Sequence, residues 1–484
     1  MVVSDTYDSG MSAPEPALGP QQPSIPVPQP TPRPATPPVP QPAGPPPAAG
    51  TPWTSAQKLA FRLLFVIGGG FLVLSLYGNL GLLFVWYSSG IYWVLAQVGS
   101  YLTRGEGVEV FLSNNGDPLW VWCWHLGWIV VSIVIVAIWS ALDRSRRDYR
   151  SLLGLLGVFA RVSLALTMIK YGLIKVLPTQ MGFMELPAYR LQLTGDTSLF
   201  GTLWGFMGAS TWYSVATGLV ELVAGLLLLW KRTALLGALL AVVATVQIFL
   251  LNFFYDVPVK ILATEQLVIA VGLTVRYWPN LLRAGTNRPA GPPVPDLPVA
   301  GAGKSGLRIT GVVVKYLAAA LLIMSGIANG ILGMYIIKTP RSPLDGEWRA
   351  TSFRIDGAPA TLTQRGPAPW PNVAITLRGN ATNEALKAIS TSYDSVVTQD
   401  PSGYTTAWRL ELDGDVLLLR KKEGDAPLRV TARLDGDRLH LNGTVDGKTV
   451  EGVYERRFME RDRSHFRFVQ PDGAAGAAPD QGGS

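Results

Sequence analysis

The sequence predicts an α-helical membrane protein of about seven transmembrane helices followed by a small all-β barrel domain. Three observations predict it. Of the 484 residues, 48% are apolar and only 15% are charged, well under the roughly 25% charged of soluble domains. Apolar runs recur at close to the roughly 20 residues that a helix needs to cross a bilayer. After Lys338 the composition turns soluble, and short alternating runs are separated by Asp413-Gly414, Asp435-Gly436 and Asp446-Gly447, the strongest local signal for β-hairpins.

Residues 1–55 are Pro-rich, as in Pro34-Ala35-Thr36-Pro37-Pro38-Val39-Pro40, and cannot bury enough apolar area to offset chain entropy. They read as a disordered cytoplasmic tail. Residues 56–149 hold two spans, Leu63 to about Val85 and Leu119 to Leu142. Gly68-Gly69-Gly70 in the first marks close helix contact. Trp120, Trp122, Trp124 and Trp128 open the second as an aromatic belt. Between the two spans, Ile91 to Leu95 reads as a helix lying in the interface, and Tyr101 to Pro118 as a polar loop. Residues 150–280 hold four spans, approximately Leu152–Leu177, Trp212–Trp230, Thr233–Phe254 and Val259–Tyr277. A Pro/Gly-rich linker, 281–307, leads to a seventh span within 308–338, Ile309 to Ile337.

The loops holding Arg144, Arg146, Arg147 and Arg150, then Lys231-Arg232, then Arg276, Arg283, Arg288, Lys304 and Arg308 carry most of the loop positive charge. The positive-inside rule makes those loops cytoplasmic. The tail is then inside, and the β domain and the loops 178–211 and 255–258 are outside. The formal net charge of +7 is spent on this topology and is not read as a nucleic-acid footprint. The expected location is a bacterial cytoplasmic membrane, with the lipid bilayer as the first partner.

Residues 339–472 begin with Leu344-Asp345-Gly346-Glu347-Trp348 and continue with runs such as Trp408 to Leu412, Val416 to Leu419, Leu428 to Ala432, Leu439 to Leu441, Thr449 to Tyr454 and Phe466 to Phe468. About eight local strands and the need to protect sheet edges predict closure into a small barrel. The Leu-x-Gly-x-Trp opening resembles that of lipocalin-like domains. Such a barrel either holds one small apolar ligand or is filled by its own side chains. Residues 473–484 read as a disordered tail.

Ionisable residues inside apolar helices are costly and mark a functional pocket. Here they are Arg161, Lys170, Lys175, Glu221 and Glu265, with Asp256 and Lys260 at the tip of the hairpin Asn252 to Lys260. Tyr171, Asn252 and Tyr255 complete the candidate set. Arg161, Met168, Gly172 and Lys175 fall along one helix face. Bare charges at that depth need partners. Glu221 is expected to pair with Arg161 or Lys170, and Asp256 with Lys175 or Lys260. Three readings stand: ion pairs that pin the bundle, a pocket open to the outer face for a quinone or another small polar-headed molecule, or lysines that snorkel without pairing. The single cysteine, Cys123, leaves no dithiol or thiolate metal site, and the scattered His125, His440 and His465 suggest no metal or haem; His125 reads as structural.

Residues 150 to 277 resemble the DoxX-like membrane family. Arg161, Lys170-Tyr171-Gly172 with Lys175, the run Gly218 to Leu229 with Arg232, and the Asn252 to Lys260 hairpin carry the resemblance. It implies a four-helix bundle and an association with membrane oxidoreductase systems, hence a quinone-interacting or accessory subunit with a redox partner protein. The other function class is a non-enzymatic, membrane-anchored binding or assembly protein acting through its outer β domain. A transporter is the third, without the paired broken helices such folds use.

Overall fold

In the computed structural model of the chain, residues 51–77, 90–111, 116–301, 303–362, 370–379, 387 and 393–459 are described. The Pro-rich run, residues 78–85 of the first predicted span, Phe466 to Phe468 with His465, and the 473–484 tail lie outside them.

Helix α1, Ser55–Ser75, starts earlier than the predicted Leu63. A reciprocal pair of hydrogen bonds between Thr54 and Gln57 nucleates it there. Arg62, expected to flank the span, is buried within it and donates to the Tyr149 hydroxyl, Ser140 and the Asp143 carbonyl. Gly70 is required as predicted, because a Cβ there would lie 2.1 Å from the Trp128 ring. Helix α2, Ile91–Arg104, is longer than the predicted Ile91 to Leu95 and corrects the polar loop, which begins after Arg104 instead of at Tyr101. It runs antiparallel along α3, Leu119–Leu142, so closely that a Cβ on Gly99 would lie 1.9 Å from the Cys123 carbonyl and one on Gly127 1.9 Å from that of Leu95. Two facing glycines hold α2 against α3.

The central bundle is α4, Arg150–Val176; α6, Thr211–Leu229; α7, Ala234–Phe254; and α8, Lys260–Thr274. Between α4 and α6 the predicted outer loop contains a helix, α5, Leu199–Ala209, and shorter turns at Gly182–Glu185 and Pro187–Arg190. Helix α9 spans Ser305–Lys338. Among the described residues, six helices are long and apolar enough to cross a membrane. The span predicted at Val259–Tyr277 is shorter than expected: α8 has 15 residues and ends in a 3-10 turn, Val275–Tyr277. It nonetheless begins beside Asn252 at one end of the bundle and ends beside Lys231 at the other. Its first amides are capped from a distance, Asp117 accepting from the Lys260 and Ile261 N–H groups.

Glycine sets the register of the bundle. A Cβ on Gly172 would come within 2.8 Å of the Gly218 carbonyl, and one on Gly225 within 2.7 Å of that of Ala165. Helices α4 and α6 therefore run antiparallel in near-backbone contact around a core of Leu164, Met168, Ile169, Ala224 and Leu228. Helix α9 lies on the same unit through Gly326 and Gly330, which sit over Leu173 and Leu177.

The C-terminal strands are β1, Gly346–Ile355; β2, Ala358–Pro359; β3, Asn372–Thr376; β4, Ser395–Gln399; β5, Thr405–Asp413; β6, Val416–Arg420; β7, Leu428–Asp435; β8, Arg438–Val445; and β9, Lys448–Arg456. All pair antiparallel in sequence order, and β1 pairs β9, so eight strands close into a barrel with β2 appended to β1. The architecture fits a lipocalin-like domain. Its interior is filled by side chains including Trp348, Phe353, Ile375, Leu419, Leu439 and Tyr454. Trp348 is fully buried, donates to the Leu344 carbonyl over 2.9 Å and lies under the Arg456 guanidinium.

The Asp-Gly pairs act in two ways. Asp446 and Gly447 both adopt positive φ and form the two-residue β8–β9 loop. Asp413 and Asp435 are instead the last residues of their strands, and Gly414 and Gly436 take the positive-φ first loop position.

The barrel meets the bundle through the segment after α4. The Ala188 amide donates to Thr376 Oγ1 over 3.0 Å, Gln399 donates to the Leu191 carbonyl, and Arg190 lies 3.2 Å from Glu347. Leu191 packs on Ala374 and Val397, which buries the outer face of β3 and β4 as well as the inner one.

Candidate functional site

Antiparallel packing of α4 and α6 places Lys175 near Gly218, whose missing side chain leaves room for the lysine stem; a Cβ on Gly218 would lie 2.6 Å from Lys175 Cβ. One turn further along α6, Glu221 is 3% exposed and accepts from Lys175 Nζ over 2.6 Å. This corrects the expected partners of Glu221. In the register that the glycines impose, Arg161 lies level with the far end of α6, three turns from Glu221. Lys170 is half-buried with its ammonium 5.5 Å from the Tyr171 ring centre.

Lys175 and Glu221 line a cavity of about 90 Å3 between α4, α6, α7 and α8, closed on one side by the segment after α4. Tyr171, Gln180, Trp204, Asn252 and Gln266 also line it, and the remaining walls are apolar. Its volume exceeds the roughly 10–15 Å3 that one water requires and falls short of the roughly 300 Å3 where pockets begin to hold drug-sized ligands. It suits a headgroup.

The donor and acceptor balance is one-sided. Gln180 Oε1, Glu221 Oε2 and Asn252 Oδ1 are buried with no hydrogen bond among the described residues. All three belong to residues of this one cavity, and all three are acceptors. The orientation of the Asn252 amide is set by its nitrogen, which donates to the Ile248 carbonyl over 2.6 Å. A buried polar atom left unpaired costs on the order of 1–3 kcal/mol, so three acceptors on residues around one cavity favour a donor there.

Of the residues predicted from sequence, the fold thus brings together Tyr171, Lys175, Glu221 and Asn252. The others lie elsewhere. Asp256 pairs with Lys260 over 2.8 Å, but its side chain is 79% exposed at the hairpin tip and its backbone takes positive φ. It bonds neither Lys175 nor the cavity, and an exposed i,i+4 pair contributes little. Tyr255 packs with Met181, Leu203, Met207 and Val257 beside the cavity. Glu265 accepts from Ser75 over 2.5 Å and lies 3.3 Å from His125 Nε2, whose other nitrogen contacts the Val121 carbonyl. That ties α8 to α1 and α3 and gives His125 the structural part expected of it. Arg161 lines a different cavity at the other end of the bundle.

Sequence reasoning missed Gln180 and Gln266. Gln266 is legible as an amide inside an apolar helix, next to Glu265. Gln180 carries no such signal, because only the turn after α4 brings it back over the cavity.

Over 111 residues the chain is 35% identical to the uncharacterized protein YwoB of Bacillus subtilis, a stretch making up 23% of this chain and 70% of that protein. The chain belongs to the YwoB family. No family model and no solved structure matches it.

Proposed function

We propose that the protein is a membrane-anchored binding protein whose bundle cavity takes a small, mostly apolar molecule through hydrogen bonds that the molecule donates. The observation that carries this reading is the set of three buried, unpaired acceptors, Gln180 Oε1, Glu221 Oε2 and Asn252 Oδ1, on residues that line one cavity. Lys175 is already committed to Glu221 and holds that carboxylate in place. A hydroquinone meets the requirement: its two hydroxyls donate, while the oxidised ring offers only carbonyl acceptors. This refines the quinone expectation to the reduced form. It keeps the link with electron-transfer systems implied by the resemblance to DoxX-like proteins, with a redox partner protein taking the electrons. It also places the ligand in the bundle, since the barrel interior is filled.

The test is calorimetric titration of the detergent-solubilised protein with a short-chain ubiquinol analogue kept reduced, and with its oxidised form. The reduced form should bind at least about tenfold tighter, about 1.4 kcal/mol, and Asn252→Leu should remove most of that preference. Equal affinity for both forms, or no binding of either, would refute the reading.

A further inference from the structure

At the end of the bundle where the loops carry Arg and Lys, a second and larger cavity of about 670 Å3 lies between α4, α6, α7 and α8. This size is in the roughly 300–1,000 Å3 range of ligand pockets. Its walls are mainly apolar, with Val158, Leu228, Leu235 and Leu273 among them, and its charged residues are Arg161, Lys231, Arg276 and Asp296. The charges do not balance. Asp296 is taken by Lys231 at 2.5 Å, Arg276 donates to the Pro295 carbonyl, and no carboxylate pairs with either arginine among the described residues. Arg161 Nε is buried without a hydrogen bond, about 16 Å along α4 from Arg150. A half-buried arginine with an unpaired Nε and no counter-charge is costly in an apolar bundle.

The linker after α8 roofs this space. Asp296, Leu297 and Val299 line it, the Ala300 amide donates to the Ser151 carbonyl, and Pro298 presses so close to α4 that a Cβ on Gly154 would lie 2.1 Å from its carbonyl oxygen. The Pro/Gly-rich segment read from sequence as a connector is thus a fitted cover, tied to the turn between α6 and α7 by the exposed Lys231–Asp296 pair.

We infer that this cavity is a binding site for an anionic amphiphile, its anionic head held by Arg161 and Arg276 and its apolar part between α4, α7 and α8. Guanidinium groups bind phosphate oxygens bidentately, and basic pockets between membrane helices suit lipid headgroups. The site is separate from the cavity of the proposed function, so either can fail without the other.

The full-length protein, delipidated in detergent, is titrated with phosphatidylglycerol or phosphatidylcholine and followed by native mass spectrometry, with inorganic phosphate as competitor. One phosphatidylglycerol per chain should survive activation that strips phosphatidylcholine. Arg161→Gln should lower its occupancy about tenfold, and Arg161→Lys should restore part of it. Gly157→Phe should also exclude it: Gly157 lines the cavity with no atom within 4 Å of an added Cβ, so this variant fills space without straining the fold and covers the case in which Arg161→Gln fails to fold. Displacement by millimolar phosphate would support the anion site while assigning its headgroup pocket to free anions; resistance to phosphate would assign it to lipid. Equal retention of the two lipids, or full phosphatidylglycerol occupancy in Gly157→Phe, would overturn the inference.

Discussion

Lys175 Nζ and Glu221 Oε1 meet at 2.6 Å across two helices, with 10% and 4% of their side chains exposed. Removing one partner of a buried pair strands the other charge, at a typical cost of about 3–5 kcal/mol. Lys175→Met should therefore lower the melting temperature of the solubilised protein sharply, while Lys175→Met with Glu221→Leu should regain most of the loss and still not bind the donor ligand. A single variant that melts like the wild type would show that the pair does not hold the bundle.

The same two helices touch at Gly172 and Gly218, where an added Cβ would fall 2.6–2.9 Å from backbone or Cβ atoms of the facing helix. Gly218→Leu must push α6 away from α4, with an overpacking cost of about 1–3 kcal/mol or more. Gly285→Leu, where nothing lies within 4 Å, should be neutral. Paired thermal melts would decide it.

At the rim of the barrel, burial pushes the Asp394 carboxyl from 3.8 up to about 6, against the pull of the Arg378 amide and the Arg341 guanidinium. The folded state then holds a proton that the unfolded state has released between about pH 4 and 6. By linkage, this group's contribution to stability is fully present below about pH 4 and is lost as pH rises through 6. Burial also raises Asp345, which contributes in the same direction. Asp394→Asn should flatten the wild-type fall in melting temperature across that window; an unchanged slope would assign the effect to other groups.

The barrel closes through its own strands and buries Trp348, Tyr454 and Leu439 completely. A fragment from Arg341 to Gln470 should be soluble and melt cooperatively, with tryptophan fluorescence and far-UV circular dichroism giving coincident transitions. Divergent transitions would mean that Arg190, Leu191 and the Ala188 amide are needed to complete it.

The positive-inside rule predicts the linker inside the cell and the barrel outside. Reporter fusions after Arg288 and after Arg456 should therefore give opposite activities in an alkaline phosphatase and green fluorescent protein pair. The same compartment for both would reverse this topology.

Much of this was legible because each signal was local. Trp348 in its motif, the strands around Gly414, Gly436 and Gly447, and polar side chains in apolar helices all declare themselves within a few residues. Strands β3 and β4 escaped notice because both of their faces are buried, which erases the alternation that marks a half-exposed strand. Helix α5 was read as loop because three glycines interrupt its eleven residues. The partner of Glu221 was misread for a different reason. Periodicity tells which residues share a face of one helix, but the level at which two helices face each other is set by the Gly172–Gly218 contact, which no single-helix pattern encodes.

The pairing of β1 with β9 also governs how the domain can be made. Ser352 lies opposite Val453, about a hundred residues later, so the first strand waits with a bare edge until the last one has been synthesised and delivered to the same compartment. Each hairpin in between can form as it emerges, but the sheet stays open, and an open edge is a template for pairing with another chain. Loop closure over that distance is the slow step for sheets of high contact order. The interval before β9 arrives is therefore when this domain is most exposed to aggregation and to proteases, and a chain broken off just short of Lys448 should be degraded rather than accumulate as a smaller folded form.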